Sequence, residues 1–140
     1  MLGKVPSRSR FWLYAGCLGI GLFGTGLAIY LSVKSSSRME TVHWLPHGIT
    51  KWADRHGRFC NFPAYALLAL PFMAVCSGQR NRLRVSLVLI LLVASIEVVQ
   101  LWIPTRHSDL WDVFWGGAGI FAVQVVFELS SWWKSRQRDC

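Results

Sequence analysis

The chain has 140 residues, 53% of them hydrophobic and 8 of them tryptophan, a balance that a water-soluble domain of this length rarely holds. Its formal net charge of +8 is gathered at the ends of apolar runs, which suits the edges of a bilayer and argues against a nucleic-acid-binding face. Such a length allows one domain. The four cysteines, Cys17, Cys60, Cys76 and Cys140, form no CxxC pair and no zinc pattern, so they read as packing residues and a tail thiol.

The first apolar run, Phe11–Val33, carries no charge. As a helix it covers about 34 Å, enough for a hydrocarbon core of about 30 Å. It is too long for the core of a signal peptide, and the residues around Val33 do not form a small-x-small cleavage site, so the run reads as a retained helix. Gly16, Gly19, Gly21, Gly24 and Gly26 would weaken a soluble helix but allow close helix packing in lipid.

The next segment, 46–58, places Ile49, Trp52 and Ala53 at helical spacing, with Lys51, Asp54, Arg55 and Arg58 between them. That pattern predicts a short amphipathic helix lying on the membrane surface, with Pro46 in its first turn and Gly57 at its end. A second uncharged run, 59–76, is just long enough to cross. Pro63 falls in its first turn, and Pro71 is deep enough to predict a bend.

The third run, 85–103, contains Glu97. A fourth, 110–133, has Asp112 near one end and Glu128 near the other. Gly116, Gly117, Ala118 and Gly119 give this last helix a thin surface, suited to the glycine-rich first helix or to a ligand tail. The predicted architecture is therefore an all-α integral membrane bundle of four transmembrane helices, at about 11–33, 59–76, 85–103 and 110–133, with one interfacial helix in the first outer loop.

Four crossings put both termini on one side. Lys4, Arg8, Arg10, Lys134, Arg136 and Arg138 lie near the termini, and Arg80, Arg82 and Arg84 lie in the short loop 77–84. They outnumber Lys34, Arg38, Lys51, Arg55, Arg58 and Arg106 on the other side. Short, dense basic clusters stay in the cytoplasm, so the termini are predicted inside and 34–58 and 104–109 outside. Trp12, Trp132 and Trp133 would mark the inner interface, and Trp102 and Trp111 the outer one.

Glu97 is the most informative residue. A carboxylate among lipid-depth residues costs roughly 2.5 kcal/mol or more to insert, so it needs a partner and usually marks function. With the helix ending at Ile103, Glu97 would lie about 9 Å below that end. Gln100 shares its helix face. Pro104 ends the helix, Arg106 follows in a short loop, and Asp109 and Asp112 open the next helix, where the macrodipole favours negative charge. These groups converge on the outer mouth of one hairpin. Two readings compete. In one, Asp109 is a cap and Glu97 with Arg106 pins the hairpin; in the other, the groups line a polar pocket open to the outer surface.

This block, Glu97, Gln100, Pro104, Arg106, Asp109, Asp112, Gly116 and Gly119, resembles the VanZ family. The family commonly has Asn where Gly116 stands. An upstream family motif aligns with 57–65, where Arg58, Phe62 and Tyr65 fit while Gly57 and Asn61 replace an acid and a histidine. The resemblance spans about 52–127. It implies a small multi-helix protein of the bacterial inner membrane, and adds Arg58 and Tyr65 to the pocket. The founding member of the family is associated with resistance to the antibiotic teicoplanin.

His43, His47, His56 and His107 lie on the outward side in this topology. Pro46 interrupts the i, i+4 pair of His43 and His47, so no metal site is predicted. No nucleophile motif, phosphate-binding loop or cofactor signature occurs. Three functions stay open. The first is a non-enzymatic envelope protein whose pocket binds a lipid or glycan-lipid headgroup, with Arg106, Arg58 and Arg55 meeting phosphate. The second is a structural partner subunit of a membrane complex. The third is an enzyme on a lipid-linked substrate, using Glu97 as acid or base.

Overall fold

The computed structural model describes residues 8–33, 42–43, 45–104 and 108–138. The described chain is all-helical. Five α-helices follow one another: α1 (Arg8–Val33), α2 (His47–His56), α3 (Asn61–Val75), α4 (Gln79–Gln100) and α5 (Leu110–Arg136), with a 3-10 turn at Gly57–Cys60 before α3. Three stretches, Phe11–Val33, Gln79–Gln100 and Leu110–Arg136, are long and apolar enough to cross a membrane. At 15 residues, α3 reaches about 22 Å, short of a full crossing by itself. Together α2 and α3 are long and apolar enough to form a broken span or a re-entrant loop, with a bend of 118° between them.

The core is made by three helices. Tyr65, Leu68, Ala69 and Met73 of α3 meet Leu89 and Val93 of α4 and Ile120 and Val123 of α5. The most extensive contact is α3 on α5, followed by α4 on α5. Gly119 makes the first of these possible, because a Cβ there would overlap the Phe62 carbonyl oxygen. Gly116 faces the Tyr65 ring, 2.9 Å from where a Cβ would stand, and Val93 at 3.1 Å. The glycine notch of α5 is therefore filled by α3, not by α1 or a ligand tail. Phe62 and Ala66 present bare backbone to Gly119, the closest approach two helices can make.

Instead, α1 packs mainly on α3. A Cβ on Gly21 would lie 2.7 Å from the Phe72 ring, and one on Gly24 3.1 Å from Leu68. These contacts run antiparallel. Only 6% of the apolar stretch of α1 is buried, so α1 is a peripheral helix leaning on a three-helix core.

Helix ends depart from the hydropathy reading at several places, by one to three residues at α1, α3 and α5 and furthest at α4. The third apolar run was bounded at 85–103, whereas α4 spans Gln79–Gln100. Gly78, at φ 86°, makes the turn out of α3, so Arg80, Arg82 and Arg84 belong to α4 rather than to a loop. Long arginine stems let charged heads reach water from inside a helix, and hydropathy misplaces such starts. At the other end, Leu101, Trp102 and Ile103 each donate to the carbonyl three residues back, at 3.2, 3.1 and 3.0 Å. This tighter turn arises because Pro104 disfavours α geometry at Ile103. Glu97 is consequently about 4.5 Å from the end of α4, not about 9 Å.

The remaining ends follow local chemistry. Asp109 caps α5, its Oδ1 accepting from the Trp111 N–H at 3.0 Å. Asp112 sits in the first turn, and Lys134 and Arg136 in the last, complementing the helix dipole. The α3 helix runs unbroken through Pro71, which removes only the hydrogen bond to the Leu67 carbonyl. Pro46 is the residue before α2 rather than inside its first turn, and Gly57, at φ 25°, ends it. Ile49 and Trp52 stand exposed along α2, the face an interfacial helix offers to lipid.

Candidate functional site

Two polar clusters lie at opposite ends of the bundle. The first occupies the Gln100 end. Glu97 and Gln100 project from the last turn of α4 and are 7% and 6% exposed, and Tyr65 of α3 is 7% exposed. Groups this polar are buried only with partners. One carboxylate oxygen of Glu97, Oε2, accepts from the Asp109 backbone N–H at 3.1 Å. The Gln100 amide donates to the Ser32 carbonyl of α1 at 3.2 Å. The Tyr65 side chain hydrogen-bonds to Ser32 and lies within electrostatic range of Glu97 and Asp112. Five of the sequence-derived pocket residues, Tyr65, Glu97, Gln100, Asp109 and Asp112, thus gather at one end. Arg106 lies outside the described residues, as does the side chain of Arg58, so their pairing with Glu97 or Asp112 does too.

Around this cluster runs an aromatic rim. Phe59 meets Trp115 edge-on at 4.9 Å between ring centroids, and Phe114 meets both Trp115 and Trp111 in the same manner at 5.4 and 5.6 Å. Cys60, in the 3-10 turn, donates its thiol hydrogen to the Ala53 carbonyl at 3.3 Å and so ties the turn to α2. It also lies within electrostatic range of Asp54 and Asp112. The chemistry available here is mainly that of acceptors. A carboxylate, a phenol and an amide, held against an apolar wall, suit hydroxyl or cationic donors, with the arginines of 58 and 106 close in sequence to supply positive charge.

A second cluster, at the opposite end of the bundle, does not follow from the hydropathy reading. Arg82 is 8% exposed. Its Nε and one terminal nitrogen donate to the two carboxylate oxygens of Glu128 at 2.9 and 3.3 Å. The same terminal nitrogen donates to Ser131 Oγ at 3.3 Å, and the other reaches the Cys76 carbonyl at 3.4 Å. One turn deeper, Ser86 Oγ donates to Gln124 Oε1 at 2.6 Å. A single guanidinium thus joins the end of α3, α4 and α5. Its sequence signal is the stripe Arg82, Ser86, Leu89, Val93, Glu97 and Gln100, all buried on one face of α4. Starting the helix at residue 85 cuts Arg82 off that stripe.

Among the described residues, no group of three His, Cys, Asp or Glu side chains is arranged to hold a metal ion, and Cys17, Cys60 and Cys76 are thiols. Comparison with protein-family models, curated proteins and solved structures finds no match to this chain.

Proposed function

We propose that the chain is a VanZ-like, non-enzymatic, multi-pass protein of the bacterial cytoplasmic membrane, with four crossings and both termini in the cytoplasm. In this reading the Gln100 end faces outward and holds the headgroup of an envelope lipid or glycan-lipid. Glu97, Gln100, Tyr65, Asp109 and Asp112 orient the headgroup, and Arg106 and Arg58 meet its phosphate. The 3-10 turn and α3 together make the fourth crossing, and α2 rests on the outer surface.

The observation that carries the reading is the joint burial of Tyr65, Glu97 and Gln100. Three polar side chains from two helices are withdrawn from water at the end of a membrane bundle. Closing the α4–α5 hairpin uses one of them, Glu97, while Gln100 and Tyr65 turn to Ser32 of α1. A second reading is favoured by the Asp109 N–H donated to Glu97. In it the cluster only fastens α4 to α5, and the protein serves as a structural subunit.

Substitution Glu97→Gln separates the two. The amide oxygen still accepts from the Asp109 N–H, so the fastening survives, while the charge is lost. Native mass spectrometry of protein extracted in mild detergent reads the co-purified lipid. A headgroup pocket predicts that retention falls about tenfold, the difference between a charged and a neutral hydrogen bond, with the thermal midpoint little changed. Equal retention by the variant and the parent would leave the fastening reading in place.

Orientation has its own test. In a cysteine-free background, Lys51→Cys should react with a membrane-impermeant maleimide on intact spheroplasts, and Gln137→Cys only after lysis. The reverse pattern removes the outward pocket.

A further inference from the structure

The cationic end of the bundle carries a feature that the outward pocket does not use. Between α1 and the last turn of α3 lies an open groove of about 300 Å³, lined by Leu13, Tyr14, Cys17, Ala74 and Val75. That volume is at the lower edge of the range for ligand sites. The groove forms because α1 is held to α3 further along, at Gly21 and Gly24, and no described residue fills the space toward the start of α1. Leu13 and Tyr14 are 68% and 42% exposed. The walls are apolar apart from the Tyr14 hydroxyl.

Exposed arginines lie within chain reach of its mouth. Arg8 lies five residues before Leu13, about 7.5 Å along α1. Arg80 lies five residues beyond Val75, within about 18 Å even for a fully extended chain. Arg84 is one turn further along α4. All three are exposed. Glu128 is the sole acid at this end among the described residues, and Arg82 already occupies both of its carboxylate oxygens. The clasp therefore leaves the rim with uncompensated cations. Trp12, Trp132 and Trp133 stand exposed at the same level, as residues at a headgroup boundary do.

We propose that this groove binds one anionic glycerophospholipid of the leaflet at the α1 N-terminal end. An acyl chain lies between α1 and α3, and the phosphate meets Arg8, Arg80 and Arg84. Charge complementarity selects the anionic lipid over a zwitterionic one, because basic clusters beside membrane helices attract anionic headgroups. The site is independent of the pocket at the Gln100 end.

The test uses the full chain in nanodiscs of equal phosphatidylglycerol and phosphatidylcholine, transferred to mild detergent and weighed by native mass spectrometry. The parent should retain phosphatidylglycerol in preference. Each of Arg8→Gln, Arg80→Gln and Arg84→Gln should lower that preference about five-fold, leaving phosphatidylcholine retention unchanged. Cys17→Trp fills the groove and should abolish retention of either lipid at this site while the basic rim remains. If that variant does not fold, Ala74→Leu narrows the same groove from the α3 side. Equal retention of the two lipids by the parent, an unchanged preference when all three arginines are replaced by glutamine together, or full retention after the groove is filled would each overturn the proposal.

Discussion

Gly119→Ala is expected to destabilise the bundle by about 3 kcal/mol or more, the upper part of the range for overpacking. The added methyl would meet the Phe62 carbonyl oxygen, with the Phe62 carbonyl carbon and the Ala66 nitrogen both 3.1 Å away. These are backbone atoms, so no side chain can swing aside. Relief requires α3 to withdraw from α5, and that contact is the largest in the fold. Gly117→Ala is the control. Its methyl would find only Ile90, at 4.0 Å, and a helical glycine replaced by alanine in open space is neutral or gains a little. Unfolding in a graded mixture of mild and denaturing detergent reads both variants. If Gly119→Ala unfolds at the same midpoint as Gly117→Ala, α3 and α5 do not meet backbone to backbone.

Arg82→Met is expected to cost roughly 2 kcal/mol, below the 3–5 kcal/mol typical of a fully buried pair broken on one side. The discount reflects Glu128, whose side chain is 25% exposed and so keeps some hydration after losing its cation. The double substitution Arg82→Met with Glu128→Leu should recover most of the loss, because no unpaired charge is then left at that depth. A coupling of at least about 1 kcal/mol in the four-variant cycle is the expected readout. Single and double variants of equal instability would mean that Arg82 acts through packing of its stem and not through Glu128.

Hydropathy and helical periodicity made much of this fold legible. The start of the fourth run matches α5 at Leu110, because Asp109 acts locally as a cap, and the first run lies within α1, which begins three residues earlier at Arg8. The start of α4 was hidden because arginines read as loop residues in a hydropathy window, although their stems can lie along a helix. The partner of the α5 glycine notch was hidden for a different reason. Glycines announce a thin surface without saying which neighbour uses it, and α1 and α3 both carry small residues. At the Gln100 end, the shared face of Glu97 and Gln100 follows from spacing alone. The hydrogen bond from the Asp109 N–H to Glu97 does not, since it depends on how the turn folds back. The clasp of Arg82 and Glu128 was half visible. An acid inside an apolar helix calls for a cation at its own depth, and three arginines stood on the correct side with no basis for choosing among them until α4 was extended to Gln79.

The hairpin of α4 and α5 is fastened at both extremities, by Glu97 to the Asp109 N–H and by Arg82 to Glu128. On α4 these anchors are 15 residues apart, about 22 Å of helix. Sliding one helix past the other by a single residue would shift it about 1.5 Å and rotate its contact face by about 100°, unseating both anchors at once. Piston-like or screw-like motion along this pair is thereby suppressed. The outlying pieces are held more lightly, α1 through Ser32 to Gln100 and Tyr65 and α2 through Ala53 to the Cys60 thiol, so displacement of one element against another costs least there.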